Sequence, residues 1–170
     1  MRIQQLIIGM ALMLSLAVAN AEDTRHFMGF STVSFSNGDI SSNAYQYGYD
    51  FSNLISVEVN VHTPEMATGS TVDVDLLASL MLRLNHRYES INTYFLIGAS
   101  NIDYTDATTD NNFTGLSYGV GIELYGSKNT AITFSYTTTE YEEGATIADL
   151  STTSVGLVHH FDFGKSVSRY

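Results

Sequence analysis

The sequence predicts an all-β fold, an eight-stranded antiparallel up-and-down transmembrane β-barrel, and three observations carry the prediction. Runs in which apolar and polar residues alternate with period two recur from about His26 to the C-terminal region, separated by turn residues. The polar face of these runs is dominated by Gly, Ser, Thr, Asn and Gln with isolated charges, where a soluble surface would carry Lys and Glu. The runs number eight, an even count, and their connections alternate in character.

The first run, about His26 to Phe35, is a strand by content, but its facing stays open. The second places Tyr45, Tyr47, Tyr49 and Phe51 on one face and Gln46, Gly48 and Asp50 on the other. The third sets Ile55, Val57, Val59 and Val61 against Ser56, Glu58, Asn60 and His62. The fourth aligns Val72, Val74, Leu76, Ala78, Leu80 and Leu82 against a mixed face holding Asp73, Asp75, Ser79 and Arg83. The fifth, about Asn92 to Ile102, is again open in its facing. The sixth opposes Leu116, Tyr118, Val120, Ile122 and Leu124 to Gly115, Ser117, Gly119, Gly121 and Glu123. The seventh shows Ile132, Phe134 and Tyr136, and the eighth Val155, Leu157, His159, Phe161 and Phe163.

Strands two to three, four to five and six to seven join through Ser52-Asn53, Asn85 to Ser90, and Gly126 to Asn129. The other connections run through Ser36 to Ser42, Thr63 to Thr71, Asp103 to Asn112 and Thr139 to Asp149, and most are longer and richer in Gly, Thr, Asn and Asp. Short periplasmic turns, longer external loops and two periplasmic termini are the topology this implies. The single proline, Pro64, falls in one of those loops, where it spares the ladder.

A soluble barrel or sandwich alternates as well, so the environment is decided by the polar face. Gly115, Ser117, Gly119 and Gly121 suit the crowded interior of a narrow barrel. The apolar face suits lipid, and closure satisfies the backbone groups that hydrocarbon cannot. Tyr45, Phe51, Tyr125, Tyr136 and Phe163 stand near strand ends, where interfacial girdles form.

The 170 residues suffice for one domain, and a formal net charge of −11 argues against a nucleic-acid partner. The absence of Cys excludes disulfides, thiolate metal sites and a Cys nucleophile. Residues 1–21 read as a secretory signal: Arg2 gives the positive start, Leu6 to Val18 the apolar stretch, and Ala19-Asn20-Ala21 the cleavage site. The apolar stretch is short for a transmembrane helix, which takes roughly 20 residues. The barrel domain is therefore residues 22–170.

Charges sort by end. The basic residues beyond Arg2 (Arg25, Arg83, Arg87, Lys128, Lys165 and Arg169) fall on the expected periplasmic side. Asp39, Glu65, Asp103, Asp106, Asp110, Glu140, Glu142, Glu143 and Asp149 fall in the expected external loops. Such acids are either simply solvated, or share divalent cations with lipopolysaccharide phosphates or repel an anionic partner.

With these residues in view, the chain resembles the small eight-stranded outer-membrane proteins of OmpX/Ail, opacity-protein and OmpA-barrel type. Gly115-Leu116-Ser117-Tyr118-Gly119-Val120-Gly121-Ile122-Glu123 is similar to that family's SYGxGhxh strand, and Ala131-Ile132-Thr133-Phe134-Ser135-Tyr136 to the strand after it. Ser154-Val155-Gly156-Leu157-Val158-His159-His160-Phe161 is similar to the terminal VGLxYxF strand that the barrel-insertion machinery reads. The resemblance spans the mature chain and implies a Gram-negative outer-membrane location and a shared scaffold with differing loops. The family usually stops at its terminal Phe, whereas Gly164 to Tyr170 continue here.

Residue patterns for chemistry are missing. Lipid A deacylases of the PagL type carry His-x-Ser-Asn, but His86 is followed by Arg87-Tyr88, and His159-His160 by Phe161-Asp162. His62 and His86 belong near the rims, His159 outside facing lipid, and His160 in the lumen close to Asp162. The acids follow no EF-hand spacing. No catalytic, cofactor or metal residue is expected, and Glu58, Asp73, Arg83 and Glu123 are expected to pair as a lumen network, because an unpaired buried charge is costly.

The expected protein is a non-enzymatic, monomeric surface barrel for envelope structure, adhesion or interaction, with outer-membrane lipid, lipopolysaccharide and the insertion machinery as partners. A small-solute channel is the alternative, and a lipid-modifying enzyme a weaker one. N-terminal sequencing of the membrane-extracted protein should begin at Glu22, and retention of Met1 would overturn the signal assignment.

Overall fold

The computed structural model describes residues 25–36, 41–64, 72–106, 109–143 and 146–161. Eight strands follow one another: β1 (Arg25–Phe35), β2 (Ser41–Asp50), β3 (Ile55–Pro64), β4 (Val72–Tyr88), β5 (Ile91–Asp106), β6 (Thr109–Tyr125), β7 (Thr130–Glu143) and β8 (Thr146–Phe161). Each pairs antiparallel with its neighbours, and β1 pairs with β8, so the sheet is a closed up-and-down barrel. The closing ladder runs from His26 opposite Phe161 to Phe35 opposite Thr152. The residues 1–24, the acids Asp39 and Glu65, and Asp162, Phe163, Lys165, Arg169 and Tyr170 lie outside the described residues.

The three tight turns define one end, hereafter the turn end, and both chain ends of the barrel lie there. In the first turn Phe51 N donates to Ile55 O at 3.0 Å, and the Ser52 hydroxyl accepts from Ile55 N at 3.2 Å. Gly126 N donates to Thr130 O at 3.1 Å in the third. The opposite end, the hairpin end, differs from the sequence reading. The segments Asp103 to Asn112 and Thr139 to Asp149 are mostly strand, with the ladders continuing to Asp106 opposite Thr109 and Glu143 opposite Thr146. Their Thr, Asn and Asp content reads as loop, yet polar residues do not interrupt a ladder that has risen into water. Likewise the expected turn Asn85 to Ser90 shrinks to Glu89 and Ser90, because β4 continues to Tyr88; Glu89 takes the left-handed conformation, φ 50°. Pro64 is the last residue of β3, opposite Ser42, rather than a loop residue.

Strand lengths make the barrel lopsided. β1 to β3 have 11, 10 and 10 residues, about what a membrane crossing needs, whereas β4, β5 and β6 have 17, 16 and 17. One wall therefore stands taller than the other.

Alternation decides what faces lipid. Tyr45, Tyr47, Val59, Leu80, Tyr118, Val120, Ile132, Phe134, Tyr136, Val155 and Leu157 are all exposed on the outer face, as the apolar rows require. Phe51, placed with the second row, lies in the turn after β2. The fourth row is not continuous, because the register shifts between Val74 and Leu76, and Leu82 is covered by its neighbours at 5% exposure. The two strands whose facing stayed open now resolve. Phe27, Val33 and Phe35 of β1 point inward, with Met28 and Phe30 outward. On β5, Asn92, Tyr94, Leu96, Ser100 and Ile102 point inward, with Phe95 and Ile97 outward.

Two of the inward aromatics need a glycine opposite. Phe27 pairs with Gly48 and Tyr94 with Gly121, and each ring folds over its partner so that a Cβ at either glycine would collide with it. A narrow barrel can hold large rings only where the facing wall supplies no side chain. Gly48→Val should cost about 1–3 kcal/mol by overpacking, read from urea unfolding in lipid vesicles, and much of that loss should disappear in the Phe27→Ala background. An unchanged midpoint for the single variant would refute the pairing.

Candidate functional site: the filled lumen

The inward rows converge on Arg83, whose side chain is fully buried. Its Nη1 stands 3.4 Å from Glu58 Oε2, and its Nη2 stands 2.5 Å from Glu123 Oε1, an ion pair whose angle falls outside hydrogen-bond geometry. Nε donates to Asn85 Oδ1 at 2.8 Å. The guanidinium carbon lies 3.6 Å from the Tyr94 ring centre and 5.3 Å from that of Phe27, so the cation is held between two rings.

Around this centre the carboxylates draw their donors from several strands. Glu58 accepts from Gln46 Nε2 at 2.7 Å and Asn60 Nδ2 at 2.9 Å. Glu123 accepts from Asn92 Nδ2 at 2.9 Å and from the Tyr125 hydroxyl at 2.9 Å. Tyr125 meets His160 Nε2 at 2.9 Å and receives Arg87 Nη2 at 2.5 Å. His160 Nδ1 faces Asp50 Oδ2 at 3.3 Å, and Asp50 Oδ1 accepts from Ser56 Oγ at 2.6 Å. Asn85 Nδ2 closes the circuit on Ser56 Oγ at 2.7 Å. The Tyr94 hydroxyl reaches Thr133 at 2.9 Å. With Phe27 from β1 and Thr133 from β7, all eight strands contribute to this one layer.

Two further layers lie beyond it. A hydroxyl-rich middle contains Ser31, Ser79, Ser100, Thr133, Ser135 and Thr137 around a cavity of about 50 Å³, room for a few waters. Ser100 and Ser117 meet at 2.6 Å, and Ser117 and Thr139 at 2.8 Å. Toward the hairpin end, Val33, Phe35, Ala44, Leu77, Ile102 and Leu150 pack together inside the barrel. The lumen is thus charged at the turn end, hydroxylic in the middle and apolar at the hairpin end.

Of the residues expected to form a network, Glu58, Arg83 and Glu123 come together. Asp73 stands at the far end of β4, and its side chain lies outside the described ones. His160 does face the lumen, and among the described residues, which do not include Asp162, the carboxylates beside it are Asp50 and Glu123. Tyr125, expected in an outer girdle, points inward, as its spacing of two from Glu123 requires. His159 lies outside and bonds Thr130 at 2.8 Å, His86 is exposed at the turn end, and His62 lines the middle cavity. Asp50, Asn85 and Asn92 were missed as partners, although Asp50 had already been placed on the face opposite the tyrosines of β2.

The described acids of the hairpin end sit on strand extensions. Glu140 stands directly opposite Asp149 and accepts from the Tyr118 hydroxyl at 2.9 Å, and Asp103 accepts from Asn112 Nδ2. Among the described residues, no three His, Asp or Glu side chains gather as a metal site would require.

The sequence pattern of residues 7–161 matches the family described as outer membrane protein beta-barrel domain. The chain belongs to that family. Membership places this barrel in the Gram-negative outer membrane, in keeping with its outward apolar rows. Among curated proteins, none matches the sequence. Solved barrels of similar fold include the N-terminal β-barrel domain of Pseudomonas aeruginosa OprF, with TM-score 0.68, 12% identity and coverage of 82% of this chain and 98% of that one. Neisserial surface protein A has TM-score 0.57, 14% identity and coverage of 81% and 96%. Ail, the attachment invasion locus protein of Yersinia pestis, has TM-score 0.52, 18% identity and coverage of 81% and 97%. These likenesses concern the scaffold.

Removing one partner from a buried ion pair leaves the other charge stranded. Arg83→Met should therefore cost about 3–5 kcal/mol in unfolding from lipid vesicles. Adding Glu58→Gln and Glu123→Gln to that variant should recover a large part of the loss. Equal stability of the single and triple variants would show that the charges do not depend on one another.

Proposed function

We propose that this family member is a monomeric, non-enzymatic surface barrel that presents its hairpin end outside the cell, for adhesion or another contact, with its turns and both termini in the periplasm. The carrying observation is the filled lumen. The charged layer around Arg83 and the apolar layer around Phe35 and Leu77 stop it at both ends, so the residues exposed above the rim are what remain for recognition. The taller wall of β4 to β8 supports this reading, since it raises strand ends well beyond the span that lipid requires. Residues 1–21 serve as the cleaved signal, and the closing strand is read by the insertion machinery.

Attachment is named for the similar barrel Ail, and one solved form of that protein holds a heparin analogue. The charge here argues for a different ligand. Asp103, Glu140 and Asp149 share the hairpin end with the other acids there, so a polyanion would be repelled. A basic partner, or lipopolysaccharide phosphates joined through divalent cations, fits that sign. Catalysis is disfavoured because Asp50, His160 and Tyr125 are bonded in series within the lumen, and the cavity beside Asp50 and His160 is about 10 Å³, too small for a substrate.

In a planar bilayer the refolded protein should show no steady conductance of porin size, since an interior of eight strands is just wide enough for side chains. Stable open steps of that size would sink the closed-scaffold reading and favour the channel.

A further inference from the structure

The outer wall near the turn end carries a groove of about 580 Å³, within the range of small-molecule sites. Its floor is a row of four apolar side chains in direct cross-strand register. Ile91 stands opposite Leu124, Leu124 opposite Ile132, and Ile132 opposite Leu157, crossing β5 to β8 without interruption. Its roof is polar, formed by the β6–β7 turn at Gly126 and Ser127. A cation flanks this roof: Lys128 is exposed in the same turn, whereas Arg87, 4.7 Å over the Tyr125 ring, lies on the lumen side with Asn85 and Asn92. His159, bonded to Thr130, is the neighbouring titratable group, and Glu89 is the acid of the adjacent turn.

We propose that this groove is a specific site for an anionic phospholipid of the adjoining leaflet, one acyl chain lying on the Ile91–Leu124–Ile132–Leu157 row and the phosphate held near Lys128. The floor faces hydrocarbon, where an acyl chain is the available apolar occupant. The apolar-to-cationic gradient along the groove matches the order of parts in a phospholipid. Cations near a membrane surface attract anionic headgroups, each by a modest amount. The site does not depend on what the hairpin end recognises.

Gly126 offers a clean way to close the groove. A Cβ there would meet nothing within 4 Å, so the fold tolerates a side chain that the groove's occupant would not. The mature barrel in nanodiscs, doped with phosphatidylglycerol carrying a photoreactive acyl chain, should crosslink preferentially within β6, β7 and β8 around Leu124, Ile132 and Leu157. The same probe on phosphatidylcholine should label this region less. Lys128→Ser should reduce the phosphatidylglycerol signal by about fivefold, the share of one surface cation. Gly126→Phe should remove labelling there while leaving heat-modifiable gel migration intact. Uniform labelling around the barrel, equal labelling by the two lipids, or labelling unmoved by Gly126→Phe would each overturn the proposal.

Discussion

Hydrocarbon offers no partner for a backbone N–H or C=O, and each group left unpaired there costs several kcal/mol. Every strand of this protein must therefore be paired on both sides, which only a ring achieves. The β1–β8 ladder supplies the last side, from His26–Phe161 to Phe35–Thr152. Closing eight strands fixes a narrow interior, and that narrowness dictates the rest. Large side chains enter only where the opposite wall is bare, as Phe27 does over Gly48 and Tyr94 over Gly121. Those two rings then form the slot in which Arg83 lies, so each glycine positions a cation two strands removed from it in the chain.

A buried guanidinium is tolerable only when its charge is answered, and the carboxylates that answer it come from other strands. Glu58 belongs to β3 and Glu123 to β6, so the network ties together walls that share no ladder. The second circuit, from Asp50 through His160 to Tyr125, joins β2, β8 and β6 in the same way. Ladder bonds hold each strand to its neighbours alone. The polar layer is what holds the barrel across its diameter at the turn end.

The outer surface was easy to read in the sequence because lipid selects one face without compromise. Tyr45 and Tyr47 on β2, or Val155 and Leu157 on β8, are apolar against small or polar neighbours, and the facing follows at once. β1 and β5 resisted because their inner faces are aromatic too. Whether Phe27 or Met28 points inward depends on Gly48, which lies on another strand, and no single run carries that information. The same limit applies to the site. Glu58, Arg83 and Glu123 were legible as inward charges, since parity along each strand is local. The pairing of Asp50 with His160 was not, because it joins β2 to β8 through the closure itself. Strand ends were misjudged for a different reason: outside hydrocarbon the alternation loses its apolar half, while the ladder persists.

The lumen's layers also differ in how they hold the walls together. At the turn end the network is directional, and a lost partner strands a charge. At the hairpin end, Val33, Phe35, Leu77, Ile102 and Leu150 pack without directional demands, so they hold the walls together while tolerating change above them. Glu140 opposite Asp149 is a like-charge pair that weakens its own ladder. The Tyr118 hydroxyl bond to Glu140 offsets part of that cost, and water screens part of the remainder. Such a pair persists where the barrel below supplies the stability and the strand ends are left free to carry charge outward.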